Sequence, residues 1–552
     1  MKSKTSFFNT SLLRKDILRF APAWGLYTAF LVLVFVGGVF NDNERYIARS
    51  LASSLQAFPF FNLGYGLLCA QLLFGDLHNS RMCNALHALP VRRESWFATH
   101  TVAGLLFAIV PVAVTGLIFI LILQKLWLAA LLWMAAMTLQ FVLFFAIGAL
   151  SMILTGNRFA AVVVYAILNF IAAIVLWLFY ALYAPHLHGV VVDYEPWLVL
   201  CPVVELATKN WYLVNGVAQV TIELQDGWGY LGICTAVAVV ILAGALMLYR
   251  KRPLESAGDF LSFRALQPAF LLLYTFSAGA ALHLFSQLFI NSSTEMVFLV
   301  AGLIIGFITG LMLLKRTVRV FRWRMALQFV VILATFGLSL LLTAIDPLGI
   351  TRWTPDVEAV KCVTLDRMYN STEMDYAITD PEMIRQVISI HQHGIDHPDA
   401  GNNGEPDTTI TIRYTMKAGY SVVREYYIDT GSVAAVTTAY VRSQPENIFG
   451  AAYPTAEKLL EKVTAIRVYN KSDEKKITDK DEIRAIVEAA YIDAKAGNLC
   501  QDYRTYKDYG NSYSIEIEGG YVDKGEYGYN LYWYVHFSKN TKLFAAVEPH
   551  IP

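Results

Sequence analysis

The chain has 552 residues, of which 56% are hydrophobic and 16% are charged, whereas roughly 25% of the residues of an average soluble domain are charged. This composition excludes an ordinary cytosolic enzyme. Residues 1–343 carry 22 basic and 13 acidic residues, a net charge of +9, and the remainder carries 22 basic and 31 acidic residues, a net charge of −9. The six Cys are scattered without a C-x-x-C pair, which indicates neither a disulfide scaffold nor a zinc module.

Long apolar stretches dominate the first part of the chain. A helix needs about 20 apolar residues to cross a bilayer, because its backbone polar groups must be satisfied within the segment. Nine stretches meet this requirement, and we predict spans at residues 20–40, 58–74, 101–123, 126–154, 159–183, 230–248, 265–290, 296–314 and 325–343. The first is too long for a cleaved signal peptide, and a second span follows it closely.

The loops between these stretches alternate in basic content. Lys and Arg in short loops remain on the cytoplasmic side of a membrane. They are concentrated before the first predicted span and in the loops that follow the second, fourth, sixth and eighth spans. We therefore expect a multi-pass membrane protein with a cytoplasmic N-terminus. Nine spans then place everything after Asp346 outside the cell, and a miscount of one would place that region in the cytoplasm.

The last 200 or so residues are charged, rich in Tyr and alternating in polarity, which is typical of a soluble α+β domain. Two short patterns recur about a hundred residues apart: Arg367-Met-Tyr-Asn370 as Arg467-Val-Tyr-Asn470, and Ile378-Thr-Asp380 as Ile477-Thr-Asp479. Each copy predicts a strand, a helix with Asp near its N-cap and then a hairpin. The duplication suits either a compact scaffold or a module that binds a ligand or a protein.

The predicted fold class is therefore an α-helical polytopic membrane protein of about nine transmembrane helices, with a C-terminal soluble α+β domain built from two similar β-α-β-β repeats. The predicted domains are a six-span core (1–252), three additional transmembrane helices (253–345), a first repeat with its connector (346–462) and a second repeat (463–552).

A cluster of histidines follows the predicted helix of the first repeat. Its members able to bind a divalent metal are His391, His393, His397, Asp396 and Asp399. The spacing fits no structural zinc pattern, and the second repeat lacks it. A solvated loop after a helix is the favoured interpretation, so no metal site is assigned. Cys362 and Cys500 could pair outside the cell, but the sequence gives no distance between them.

Catalytic motifs are missing from the sequence. It has no G-x-x-x-x-G-K-[ST] phosphate loop, no H-E-x-x-H and no G-x-S-x-G, so we expect no ATPase or other enzyme activity in this chain. The predicted spans contain few ionisable groups besides His283, accompanied by the polar Gln140, Asn169 and Gln287. Ion-coupled carriers keep charges at membrane depth, so this scarcity argues against a secondary transporter.

Three glycines in the eighth predicted span, Gly302, Gly306 and Gly310, share one helix face. Such a face lets another backbone approach closely. The partner is either a neighbouring span or another subunit, and the neighbouring span is favoured.

The loop between the second and third predicted spans contains a short amphipathic segment. Met82, Leu86 and Leu89 fall at helical spacing on one face, Pro90 ends the helix, and Arg92, Arg93 and Glu94 lead into the next span. The loop is either an interfacial hairpin tip whose basic residues obey the inside rule, or an element that docks on a partner.

The stretch Leu86-His-Ala-Leu-Pro-Val-Arg-Arg-Glu94 resembles a loop of the permease subunits of ABC-2 type bacterial ABC transporters. The apolar segment 197–205 before the sixth span is similar to the short extracellular helices of the same family. The resemblance covers residues 1–252. The later spans and the repeated external domain go beyond the six-span pattern and are similar to larger permeases of Gram-positive bacteria.

The resemblance implies a permease without an ATPase of its own, working as a homodimer or heterodimer. A separate ATPase subunit would bind ATP and Mg and dock on the cytoplasmic loops. Met82, Leu86 and Leu89 would enter a groove on that subunit, and Arg92, Arg93 and Glu94 would make charged contacts. We expect an exporter in the lipid bilayer, with no nucleic acid partner. The alternative is a non-transporting membrane sensor or scaffold whose external domain binds a ligand or envelope partner, and a membrane enzyme ranks third.

Overall fold

A computed structural model describes residues 8–36, 44–88, 91–191, 199–215, 221–225, 227–289, 295–321, 323–366, 378–398, 408–428, 438, 441, 448–449, 453, 455–470, 473–496, 499, 512–523, 528–538 and 541–551. The chain divides into two compact units. The helical unit comprises Met1–Tyr183 and Tyr194–Ser339, and the C-terminal unit comprises Ala184–Asp193 and Leu340–Pro552. The helices on either side of residue 252 thus belong to one unit.

The first part of the chain is mostly helical. Its helices are α1 (Thr10–Arg19), α2 (Ala21–Leu31), α3 (Glu44–Phe74), α4 (Ser80–His87), α5 (Arg93–Ile122), α6 (Trp127–Leu154), α7 (Arg158–Leu182), α8 (Pro202–Thr208), α9 (Gly227–Lys251), α10 (Gln267–Phe289), α11 (Glu295–Lys315) and α12 (Trp323–Ile345). A short hairpin, β2 (Tyr212–Asn215) and β3 (Thr221–Leu224), lies between α8 and α9.

Among the residues that the structure describes, eight helices are long and apolar enough to cross a membrane. A ninth span results if α1 and α2, with its π-helical extension Val32–Val36, are counted together, but this pair is bent by 60°. Six of the eight begin and end within three residues of the predicted spans. The chain is therefore a membrane protein by the length and apolarity of its helices.

Two helices begin earlier than the sequence predicts: α3 begins at Glu44 rather than 58, and α5 at Arg93 rather than 101. Their first turns are not apolar throughout, which is why hydropathy missed them. In α3 the buried Ile47, Leu51 and Leu55 recur every four residues, so one face of the extension packs inside the unit.

Helix α6 is central to the helical unit. Buried residues make up 72% of the apolar stretch of α6, compared with 11% of that of α12. It packs closely on α3, where a Cβ on Gly66 would lie 2.9 Å from the backbone of Phe144. The core around this contact includes the fully buried rings of Phe144 and Trp133.

The three glycines of α11 face α10. A Cβ on Gly302 would lie 2.7 Å from the carbonyl oxygen of Ala278, and one on Gly306 would lie 2.6 Å from the Cβ of Ala278. A Cβ on Gly310 would lie 2.9 Å from the side chain of Leu271. Within this chain, the backbone that approaches the glycine face is therefore that of the neighbouring helix.

The C-terminal unit contains two antiparallel four-stranded sheets and their helices. Its elements are β1 (Val190–Val191), β4 (Val360–Asp366), α13 (Pro381–Asp396), β5 (Thr408–Met416), β6 (Ser421–Ile428), α14 (Ala456–Leu460), β7 (Val463–Asn470), β8 (Asp473–Ile477), α15 (Lys480–Lys495), β9 (Ser512–Asp523), β10 (Gly528–Ser538) and α16 (Lys542–Val547). The strand orders are β1-β6-β5-β4 and β10-β9-β7-β8.

The two sheets have corresponding features. In each, a strand, a helix and a hairpin (β5–β6 or β9–β10) follow in that chain order, as predicted. The second copy departs from the predicted β-α-β-β order, because β8 pairs with β7 before the helix. Val363 of β4 pairs with Ile378, and Ile466 of β7 pairs with Ile477. Both helices begin after a capping aspartate, Asp380 for α13 and Asp479 for α15, whose side chain accepts backbone N–H groups. The Arg367–Asn370 motif and most of the connector between the sheets lie outside the described residues.

The edge strand β1 comes from the segment between α7 and α8. Val190 pairs with Arg424 and Val191 with Val423 of β6. The turn before it requires glycine: Gly189 has a φ of +69°, and a Cβ there would lie 2.1 Å from the ring of Tyr426. The predicted domain begins at residue 346, so Ala184–Asp193 is an addition that the sequence pattern did not indicate.

Candidate coupling surface on the helical unit

Helix α4 is the amphipathic element predicted between the second and third spans. The side chain of Asn79 caps it by accepting the backbone N–H groups of Arg81 and Met82 at 3.0 and 3.4 Å. Cys83 points inward and is buried, whereas Met82 is 39% exposed. Burial raises the pKa of the Cys83 thiol. The helix thus packs on one face and presents Met82 on the other.

Not all of the predicted apolar face can be placed. The side chains of Leu86 and His87 are not described, and Leu89 and Pro90 lie outside the described residues. The structure therefore describes the exposure of Met82 but not that of the other two predicted contact residues, Leu86 and Leu89.

The predicted charged residues at the start of α5 differ in their environments. Arg92 is exposed. The Arg93 guanidinium donates to the carbonyl oxygens of Tyr249, Arg250 and Arg252 at 3.5, 3.2 and 3.2 Å. These carbonyls end α9, where a helix favours a cation.

Glu94 also contacts α9. Its carboxylate lies 3.0 Å from Nε of Arg250. Arg93 and Glu94 therefore fasten the start of α5 to the end of α9, and Arg92 is the residue of the three that faces solvent.

Arg252 links the end of α9 to two further segments. Its side chain is buried and donates to the carbonyl oxygens of Met152, Thr155 and Leu77 at 2.9, 2.8 and 3.2 Å. Burial lowers the pKa of the guanidinium to about 10, so it remains charged at neutral pH. Because a buried charge needs several hydrogen-bond partners, these carbonyls hold the ends of α6 and α3 against the end of α9. Nothing in the sequence distinguishes this arginine from its basic neighbours.

A buried contact between a histidine and a carboxyl group attaches α1 to α5. Nδ1 of His100 lies 2.7 Å from Oδ2 of Asp16, and each side chain is 4% exposed. The backbone N–H of Asn9 donates to Oγ1 of Thr99 at 3.2 Å. The sequence placed Asp16 in a basic N-terminal segment and His100 just before a span, so it gave no indication of the pair.

The loop after α9 lies along the turn between α6 and α7. The backbone N–H of Gly156 donates to the carbonyl of Asp259 at 2.9 Å, and that of Ser262 donates to the carbonyl of Leu154 at 2.8 Å. A Cβ on Gly156 would lie 2.0 Å from the carbonyl oxygen of Ser256. We call residues 75–88, 91–94, 154–158 and 249–262 the loop cluster. Its segments are joined by hydrogen bonds, and all belong to loops predicted to be cytoplasmic.

The polar side chains predicted within the spans are hydrogen-bonded inside the helical unit. Gln140 accepts from Asn62 at 3.2 Å and donates to the carbonyl of Leu55 at 3.1 Å. Asn169 donates to the carbonyl of Tyr165 at 2.8 Å, and His283 lies 3.3 Å from Gln287. Gln140 thus has the partners expected of a packed polar group, whereas Oδ1 of the buried Asn169 has no partner among the described residues.

The histidines at 391, 393 and 397 do not form one cluster, and the predicted solvated loop is wrong, since they lie in α13 and at its C-cap. His391 is fully buried, and its Nδ1 lies 3.1 Å from the hydroxyl of Tyr414. His393 and His397 stack on each other with ring centroids 4.1 Å apart. Among the described residues, no three His, Cys, Asp or Glu side chains are grouped so as to hold a metal ion, although Asp399 is not among those residues.

The segment predicted to form a short outer helix is described in part. Residues 192–198 lie outside the described residues, and α8 follows them. The carboxylate of the largely buried Glu205 pairs with the ammonium of Lys209 at 2.8 Å.

The sequence matches no family model, and it has no significant match among curated proteins or solved structures.

Proposed function

We propose that this chain is the permease subunit of an ABC-2 type ATP-driven exporter, coupled through the loop cluster to a separate ATPase subunit. The observation that carries the proposal is the contrast within the loop cluster. Met82 and Arg92 are exposed on either side of the α4–α5 turn, while Arg93, Glu94 and Arg252 are engaged inside the unit.

This contrast suits a surface that receives force. A partner bound to α4 and Arg92 would act on the start of α5 and, through α9 and Arg252, on the ends of α3 and α6. Hydrogen bonds to charged groups are stronger than neutral ones, so these helix ends would move together rather than separate. The ATPase subunit, with its ATP and Mg, would supply the energy.

The same proposal includes orientation and assembly. The loop cluster contains many of the basic residues, so it lies on the cytoplasmic side of a bacterial cell membrane. The C-terminal unit then lies outside the cell and consists of two copies of a duplicated unit, supported by the matching order of strand, helix and hairpin and by the capping aspartates Asp380 and Asp479. A second permease subunit, identical or similar, completes the transporter.

The test is co-purification of an ATPase with the tagged full chain from its own host in mild detergent. The double variant Met82→Asp and Arg92→Asp should reduce recovery of the ATPase by roughly tenfold or more, because it places charge on an apolar contact and reverses a charge. The variant Arg264→Asp, which changes an exposed basic residue outside the loop cluster, should retain it. Undiminished recovery with the double variant would contradict the proposed docking surface.

A sensor or scaffold is the second candidate function. It is favoured by the two separate hydrophobic cores of the C-terminal unit, one centred on Ile412 and Tyr414 and the other on Val468 and Ile515. Such a protein would purify without an ATPase under every mild condition, and its ligand would bind with no requirement for ATP.

A further inference from the structure

An apolar cavity of about 370 Å³ lies between α11 and α12, apart from the loop cluster. Residues of both helices and of the turn between them line it: Ile304, Phe307, Ile308, Leu311, Val320, Phe321, Trp323, Met325, Ala326 and Phe329. Phe321 and Trp323 are 77% and 85% exposed. Large apolar rings exposed at the end of a spanning helix are typical of the membrane–water interface.

Cations flank the end of this cavity. Nζ of Lys315 lies 3.7 Å from Sδ of Met325, which lines the cavity. Arg319 is exposed and directly precedes Val320, another lining residue. Arg316, in the same turn, already pairs with Asp259 at 3.5 Å.

We propose that this cavity binds one acyl chain of an anionic phospholipid of the bilayer, with Lys315 and Arg319 contacting the headgroup phosphate. The lining side chains are apolar, which suits a hydrocarbon chain better than a soluble metabolite. Basic groups between spanning helices at a cytoplasmic surface attract anionic headgroups. The inference rests on the membrane assignment of α11 and α12, and it holds whether the chain is a transporter or a sensor.

The experiment is native mass spectrometry of the purified full chain titrated with phosphatidylglycerol or with phosphatidylcholine of the same acyl chains. The first bound phosphatidylglycerol should be held roughly tenfold more tightly than the first phosphatidylcholine, since two cations contact its headgroup. In the double variant Lys315→Gln and Arg319→Gln, the preference for phosphatidylglycerol over phosphatidylcholine should disappear. The control, Lys251→Gln with Arg264→Gln, removes the same charge from exposed positions elsewhere and should keep it.

The acyl chain is tested separately. Ala326→Trp fills the cavity and should abolish the tight first binding event, while Ala334→Trp, at an exposed position outside the lining, should not. If Ala326→Trp has a lower thermal unfolding midpoint than the parent protein, the smaller substitution Ala326→Leu is used instead. It should also weaken binding of the first lipid. Equal binding of the two lipids by the parent chain, or unchanged binding after filling, would overturn the proposal.

Discussion

His391 is a buried histidine whose surroundings favour its neutral form. It lies against the rings of Tyr414 and Tyr426, and the charged groups facing it include Arg424 of β6. Burial, with a smaller contribution from Arg424, lowers the pKa of His391 from 6.5 to about 4. Unfolding restores the ordinary pKa, so the unfolded chain binds a proton that the folded chain does not.

Acidification should therefore loosen the C-terminal unit. The contribution of neutral His391 to the free energy of unfolding is fully present above pH 6.5. It is lost as the pH drops toward 4, by about 2 kcal/mol between pH 7 and pH 5. Hydrogen exchange of α13 in the full chain, corrected for intrinsic rates, should accelerate roughly thirtyfold over that interval. His391→Leu should remove most of the acceleration, and His397→Leu, at an exposed position, should keep it. If hydrogen exchange accelerated equally in both variants, titratable groups other than His391 would be responsible for its pH dependence.

The chemistry of single residues was only partly predictable from the sequence. Capping aspartates were predictable, because Asp380 and Asp479 act on N–H groups two or three residues away. The Asp16–His100 pair joins residues 84 positions apart, and the partners of Arg252 are backbone carbonyls that carry no sequence signal. Such contacts depend on which helix ends meet, which hydropathy does not specify.

The glycine face of α11 makes a prediction at the scale of helices. Gly306→Leu would place atoms where the Cβ of Ala278 and the carbonyl of Thr275 lie, 2.6 and 3.1 Å from the new Cβ. Because backbone cannot move aside as a flexible side chain does, α10 and α11 should separate at a cost of about 1–3 kcal/mol.

The measurement is the thermal unfolding midpoint of the full chain in detergent, which should fall by several degrees. Gly244→Leu is the matched control, since a Cβ there meets nothing within 4 Å. An unchanged midpoint with an altered oligomer mass would instead assign the glycine face to a contact between subunits.

Elements were predicted well where one physical signal dominates. Six helices follow their apolar runs closely, and both hairpins follow their alternating patterns. The early starts of α3 and α5 and the two-residue strand β1 were not predicted. The first turns of these helices are mixed in polarity, and β1 is defined by its pairing with Arg424 and Val423 rather than by its own residues.

At the scale of the whole molecule, the orientation depends on whether α1 and α2 count as one span. Three exposed positions distinguish the possibilities: Ser11 in α1, Thr317 between α11 and α12, and Ser389 in α13. A single introduced Cys at each position, in a background without the six native Cys, can be treated with a membrane-impermeant maleimide on intact cells. We expect labelling of Ser389→Cys alone, with the other two reached only after permeabilisation.

The pattern of labelling tests each step separately, because every crossing reverses the side of the membrane. Only α12 lies between Thr317 and Ser389 among the candidate spans, so these two positions must differ if α12 crosses. Seven candidate spans separate Ser11 from Thr317, or eight if the bent pair crosses, so protection of both shows that the pair is a true span. Labelling of Ser11→Cys with protection of Thr317→Cys would make the pair re-entrant and leave the C-terminal unit outside. Labelling of Thr317→Cys would reverse the whole orientation and remove the loop cluster from the reach of a cytoplasmic ATPase.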